Sequence, residues 1–326
     1  MVSTNIKNLN FIDKYQIAPK IEEQLNVICV ISNPCNYKRR IELAKIFIKY
    51  MLNTKNVRLF LVECIYPKLG QTTYQLTLAD NSNHLQLVAD TVLWTKENMI
   101  NLAVQKLLPA DYKAFAFLDA DLYFNNKNWV DDTLKALSCC DVLQPFEIGY
   151  NLNKFNKIEN ICAHYYSYCY FENNKNILNK SEFKHTGWGW AMTRNAYEKM
   201  GGLYDFCIIG GGDSILAKSL TIPNYMLTDA IYSKCSEPFI QSLINYQKKC
   251  CGLTIGYSPG IIYHLYHGMM KNRFYVDRWS IIINYKYDPN TFLIKNECGM
   301  YQASELFPSN MINDIVKYFH SRNEDQ

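Results

Sequence analysis

The stretch Phe-Ala-Phe-Leu-Asp-Ala-Asp-Leu-Tyr-Phe, residues 115–124, decides how this chain is read. The run Ala114 to Leu118 is short, apolar and aromatic, which predicts a buried strand. It ends in Asp119 and Asp121, two carboxylates separated by one small residue. Burying both charges inside a sheet is costly, so the pair is expected at the strand's carboxyl end, facing a cleft. Two hard oxygen donors on one face suit Mg2+ or Mn2+, and such a cation can hold a diphosphate. A solvated turn is the alternative for the same three residues.

The flanking sequence supplies an α/β context. Leu25 to Ser32 predicts a strand that ends at Asn33-Pro34, and Val57 to Cys64 predicts a second. Between them, Ile41, Ala44, Ile48 and Met51 recur at helical spacing over Tyr37 to Leu52. Residues 67–95 read as irregular, Glu97 to Leu108 as a helix, Trp129 to Leu137 as a helix and Asp141 to Gln144 as a strand. Alternating strands and helices predict a mainly parallel central sheet flanked by helices, with the Asp-x-Asp at a strand end. Residues 149–180, rich in Asn, Lys and Tyr, predict a surface insertion without a core. Further helices are expected around Arg194 to Met200, Ser214 to Leu220, Pro238 to Lys249 and Pro308 to His320, and a strand over Gly252 to Tyr257.

Composition narrows the function classes. The chain has 326 residues, 48% hydrophobic and 20% charged, enough for one large domain. A net charge of +4 without a long Lys/Arg run argues against a nucleic-acid partner. No apolar stretch approaches the roughly 20 residues that span a bilayer. Met1 to Asn10 is polar and lacks a signal-peptide hydrophobic region. Twelve cysteines, among them the adjacent pairs Cys139-Cys140 and Cys250-Cys251, include no Cys-x-x-Cys pair. Reduced thiols and a cytoplasmic location are the expectation.

Three further groups can carry chemistry. His264 and His267, three apart, can ligate a metal with the carboxylates or be packed core histidines. Gly210-Gly211-Gly212 leads into Asp213, which reads as a helix N-cap, as a general base, or as both. The glycine run lacks the Lys-Ser/Thr ending of a P-loop. Trp188, Trp190 and Tyr266 can stack on sugar faces or fill the core. Arg39, Arg40, Lys96, Lys271, Arg273 and Arg278 can contact a diphosphate or remain solvated surface charges.

Taken in order, the segments 94–101, 117–124, 185–191, 201–205, 210–213 and 264–278 resemble GT-A fold glycosyltransferases. The nearest likeness is to nucleotide-diphospho-sugar transferases of bacteria and large DNA viruses, and more distantly to β-1,4-galactosyltransferases and chondroitin-polymerising enzymes. The likeness runs from about residue 25 to 300. It implies an N-terminal extension over 1–24, a nucleotide-binding half over 25–145, an acceptor and catalytic half over 181–300, and a C-terminal helix over 301–326.

By that resemblance, Asp121 is the main metal ligand, Asp119 contacts ribose or metal, and one of His264 and His267, with His267 favoured, completes the site. Asp213 matches the catalytic base of inverting members, whose motif reads Trp-Gly-Gly-Glu-Asp. Here Ile209 and Gly212 stand in place of the Trp and Glu, so acceptor recognition is not carried over with them. Asn33, Arg39 and Arg40 match the nucleotide-binding loop, Glu63 is expected near the base, and Lys96, Asn101 and Arg273 on the donor side. Trp188, Trp190, Gly211 and Gly212 fall on the sugar and acceptor side. The implied reaction is metal-dependent transfer of a sugar, inverting, from a nucleotide-diphosphate donor such as a UDP-sugar to a glycan, glycoprotein or glycolipid hydroxyl. A non-catalytic nucleotide-sugar-binding protein and a metal-dependent phosphohydrolase are the competing classes.

Overall fold

The structure, a computed structural model, describes residues 15–162, 165–172 and 185–326. Strand β1 (Leu25–Ser32), helix α1 (Lys38–Leu52) and strand β2 (Val57–Ile65) open the fold. β1 and β2 are parallel, in register from Leu25 opposite Val57 to Ser32 opposite Cys64. Strand β3 (His84–Val88) adds parallel to β2, and helix α2 (Lys96–Lys106) returns the chain to β4 (Ala114–Leu118), on the other side of β1. Then follow β5 (Leu122–Phe124), α3 (Trp129–Ala136), β6 (Val142–Gln144), the pair β7 (Ile148–Leu152) and β8 (Ile158–Cys162), and α4 (Tyr166–Glu172).

The second half begins with β9 (Gly189–Thr193), α5 (Arg194–Met200), α6 (Gly212–Thr221), α7 (Tyr225–Thr228) and α8 (Glu237–Cys250). It continues through β10 (Ile255–Tyr257), β11 (Ile261–His264), α9 (Trp279–Asn284), α10 (Pro289–Phe292), the hairpin β12 (Leu293–Lys295) and β13 (Tyr301–Ala303), and α11 (Ser309–Ser321). The main sheet runs β10-β6-β9-β4-β1-β2-β3, and only β9 is antiparallel to its neighbours. A second sheet runs β5-β11-β7-β8. The expected α/β architecture is the one observed.

β4 is the hinge between the two sheets. All five of its residues are buried, with Phe115 and Phe117 in one apolar cluster and Ala114, Ala116 and Leu118 in the other. That alternation is the period-2 pattern of a strand covered on both faces. Burying each phenylalanine contributes about 1.5–3 kcal/mol, which makes β4 a rigid platform. The chain then leaves the main sheet, so Asp119-Ala120-Asp121 bridges one sheet to the other.

Several expectations are corrected. Residues 67–95 are not wholly irregular, because His84–Val88 forms the edge strand β3. Residues 149–180 are not coreless: they contribute β7, β8 and α4, and Tyr165 and Tyr166 are buried. Trp190 lies in β9 with no exposed surface, and its indole N–H donates to the Thr186 carbonyl at 2.8 Å. It is a core residue, inaccessible to a sugar. Cys139, Cys140, Cys250 and Cys251 are in no disulfide, as the expectation of reduced thiols has it. Of the expected extension, residues 1–14 lie outside the described residues, as do 163–164 and 173–184 of the stretch around the insertion. Among the described residues no helix is long and apolar enough to cross a membrane.

Candidate active site

The antiparallel register of β5 and β11 sets His264 opposite Leu122, the residue after Asp121. Leu265 then donates its backbone N–H to the Asp121 carbonyl at 2.8 Å, which ties the following turn to the same place. The turn brings His267 in as well. Asp121 Oδ2 lies 2.8 Å from His267 Nε2 and 3.6 Å from His264 Nε2, and the two Nε2 atoms are 3.3 Å apart. The ligating atoms of these three residues all lie within 4.8 Å of one another.

This cluster has more acceptors than donors. Burial pushes the His264 imidazole down to about 3, against the pull of Asp121, so that ring is neutral at neutral pH. Burial opposes the Asp121 charge too, but the two imidazoles hold its carboxyl below the ordinary range. The direction is an ionised carboxylate beside a neutral His264 ring. Asp121 Oδ1 is buried without a hydrogen-bond partner. A divalent cation satisfies such a set. Two imidazole nitrogens with a carboxylate oxygen suit Mn2+ better than Mg2+, which favours an all-oxygen shell.

Trp188 holds His264 in place. Its ring stacks on the imidazole at 5.0 Å and 1°, while its carbonyl accepts the Asp119 backbone N–H at 2.9 Å. Meeting both demands puts Trp188 at φ +80°, a conformation rare for any residue with a side chain. Gly149 makes room for this ring: a Cβ there would come within 2.2 Å of Trp188.

The other carboxylate turns elsewhere. Asp119 Oδ1 is 2.6 Å from Lys96 Nζ, which also approaches Asp213 Oδ1 at 3.5 Å. Burial disfavours the Lys96 charge, yet the two carboxylates override it and hold the ammonium above its usual range. Burial raises the Asp119 carboxyl, with Lys96 opposing. So Asp119 belongs to an ion-paired bridge, and the three-residue cluster of Asp121, His264 and His267 forms without it.

Asp213 sits in the first turn of α6, one residue inside its start. The N-cap is Gly211, so Asp213 is not the cap that its sequence position also allowed. Gly210 at φ +83° and Gly211 at φ +108° supply the left-handed turn before the helix. A side chain at Gly211 would also meet the Trp279 ring at 3.0 Å. The helix N-terminus favours an anionic side chain in this turn.

One cleft of about 520 Å³ is lined by the residues of both groups. Of the expected site residues, Arg40, Lys96, Asp119, Asp121, Trp188, Gly211, Asp213, His264, His267 and Arg273 line it. Arg273 donates from Nη2 to His267 Nε2 at 2.8 Å, while its Nε is buried without a partner. Arg278 also lines the cleft, with its Nε buried and unpartnered and Nη1 on the Tyr318 hydroxyl.

The remaining expected residues do not line this cleft, for identifiable reasons. Glu63 is buried and accepts backbone N–H groups from Gln75, Leu76 and Thr77, so it anchors a loop. Asn33 closes the turn to Tyr37 through both side-chain atoms. Arg39 donates to the Tyr266 carbonyl and pairs with Glu42. Asn101 binds Leu203, Asp205 and Tyr197. Gly212 is buried beneath Glu97, and Lys271 is exposed.

Two carboxylates beside the site were not anticipated. Glu97 opens α2 on the same face as Ile100 and Val104 and is buried, and its carboxyl is pushed up to about 8 by burial and then by Asp213. Glu324, fully buried, lies 3.3 Å from His267 Nδ1. The glycine at 212, where the resembling motif has a Glu, was the available signal for Glu97. No local pattern marks Glu324.

No known protein family and no curated protein matches the chain. Solved structures similar to it include a variant of Drosophila β-1,4-galactosyltransferase 7 in complex with manganese, UDP-Gal and xylobiose (11% identity, TM-score 0.35, 72% of this chain and 65% of that one). Another is a protein from Desulfovibrio desulfuricans described as a nucleotide-diphospho-sugar transferase (11%, TM-score 0.32, 74% and 82%). A third is a 4-diphosphocytidyl-2C-methyl-D-erythritol synthase from Anaerococcus prevotii (7%, TM-score 0.33, 91% and 95%). The chain spans about 65% of the length of the galactosyltransferase structures. The functional reading therefore rests on the side chains of the cleft.

Proposed function

We propose that this chain is a Mn2+-dependent glycosyltransferase of the GT-A type, moving a sugar from a nucleotide-diphosphate donor to an acceptor hydroxyl. The observation that carries the reading is the Asp121, His264 and His267 cluster at the end of the central strand, in one cleft with Asp213. The motif resemblance supports UDP as the nucleotide and inversion as the stereochemical outcome. When bound, the cation neutralises charge that builds on the departing diphosphate.

The chain's own residues supply the rest. Lys96 and Arg273 offer cationic donors to phosphate oxygens, and the unpartnered Arg273 Nε is a donor available to them. Asp213, with its Oδ1 buried and free of hydrogen bonds, accepts the proton of the attacking acceptor hydroxyl. Lys96, between Asp119 and Asp213, keeps the Asp213 carboxylate paired until an acceptor arrives. The acceptor hydroxyl then attacks the anomeric carbon opposite the diphosphate, in one displacement.

The test is release of nucleoside diphosphate from a panel of nucleotide sugars with Mn2+, with and without candidate glycan acceptors. Acceptor-stimulated release that falls about 100-fold to 10,000-fold in Asp213→Asn supports transfer with Asp213 as base. Release that no acceptor stimulates and Asp213→Asn does not slow marks a hydrolase. Binding of the donor without turnover marks a non-catalytic nucleotide-sugar-binding protein.

A further inference from the structure

Helix α11 ends at Ser321, and the residues after it fold back against the opening of α1. Asp325 accepts the backbone N–H groups of Lys38 and Arg39 at 3.2 and 2.8 Å, and the Tyr37 hydroxyl accepts the Asn323 N–H at 3.1 Å. Between those two anchors Glu324 is driven fully inside. Gly268, at φ +82°, admits the segment: a Cβ there would meet the Asn323 carbonyl at 2.8 Å and the Glu324 Cα at 3.1 Å.

A carboxylate with no exposed surface must be paired. Arg40 meets it with two bonds, at 2.9 and 2.8 Å, and Arg322 with one at 2.7 Å. The remaining contact is His267 Nδ1, 3.3 Å from Glu324 Oε2. A carboxylate only accepts, so as a hydrogen bond this contact takes a proton on Nδ1. The competing partners of the ring are Arg273 Nη2, 3.3 Å from Nδ1 and 2.8 Å from Nε2, and Asp121 Oδ2, 2.8 Å from Nε2. The Nε2 lone pair then faces Asp121 Oδ2 and His264 Nε2 and accepts from Arg273 Nη2 at 2.8 Å, a contact that a bound cation would replace. Three bonds from two guanidinium groups match the charge of a Glu324 anion.

We propose that Glu324 is a positioning residue for the cation site, fixing the tautomer and orientation of His267 so that Nε2 faces the metal. Resting on the cation reading above, it makes the segment after α11 part of the site's construction. Carboxylates behind a ligating imidazole typically alter metal affinity 10-fold to 100-fold when removed.

The experiment measures Mn2+ affinity by calorimetry in wild type, Glu324→Gln and Asp325→Asn, with unfolding temperatures in metal-free buffer. Asp325→Asn loosens the same segment without touching His267. The expected result is at least 10-fold weaker Mn2+ binding in Glu324→Gln and less than a 3-fold change in Asp325→Asn. Equal weakening in both, or none in Glu324→Gln, overturns the proposal. Nitrogen-15 shifts of His267 in the metal-free wild type decide the contact independently of any variant's folding. A proton on Nδ1 is expected, and a neutral ring protonated only at Nε2 overturns the proposal. A wild-type chain that binds no Mn2+ overturns the cation reading itself, and the tautomer measurement still decides the Glu324–His267 contact.

Discussion

The Glu97 carboxyl occupies the space in which a side chain at Gly212 would begin: a Cβ built on Gly212 lies 2.2 Å from Glu97 Oε1. Gly212 is the first residue of α6 and has no left-handed backbone, so its conformation does not demand glycine. Space demands it. A carboxyl from α2 fills the space beside Asp213 that a side chain at 212 would take.

Gly212→Ala is therefore expected to destabilise the chain by about 1–3 kcal/mol through overpacking against Glu97. Glu97→Ala removes the obstruction, so the double variant should be more stable than the two single losses sum to. Urea unfolding of the four proteins measures this coupling. Additive losses would show that the two residues do not compete for the same space.

Glu97 also sets a pH dependence. Its native carboxyl is raised from 4.5 to about 8, so the folded chain keeps a proton that the unfolded chain has released. Stability from this group is present below about 4.5, declines between about 4.5 and 8, and is lost above that window. Glu97→Gln cannot release a proton. Its unfolding free energy is expected to fall less steeply with pH across the window than that of wild type, and parallel curves would refute this.

Lys96 is the cation shared by Asp119 and Asp213. Lys96→Ala leaves two partly buried carboxylates without their ammonium, which should cost roughly 1–3 kcal/mol of stability. It should also weaken nucleoside diphosphate binding by at least 10-fold, about 1.4 kcal/mol. Lys96→Arg keeps the charge and is expected to retain more of both. Calorimetry with the diphosphate separates this from a folding defect.

Local signals explain what was legible in the sequence. β4 declared itself by five apolar residues ending in two carboxylates, and the observed strand has those bounds. The histidines could be associated with Asp121 because so few occur in the chain, and the β5–β11 register supplies the physical reason they meet. Trp190 was ambiguous because an aromatic beside a glycine fits a ligand platform or a core strand equally well. The antiparallel insertion of β9 between β4 and β6 decides for the core. Glu63 ends a strand as a ligand residue would, but its charge is consumed by three backbone N–H groups of a loop. Glu324 was invisible because its partners, Arg40 and His267, are brought to it only by tertiary folding.

The most direct test is calorimetric titration of UDP into wild type and Asp121→Ala, each with and without Mn2+. UDP is expected to bind wild type only with Mn2+ and not to bind Asp121→Ala, while metal-free unfolding temperatures show both chains folded. Nucleotide binding that ignores Mn2+ and survives the loss of Asp121 would contradict it.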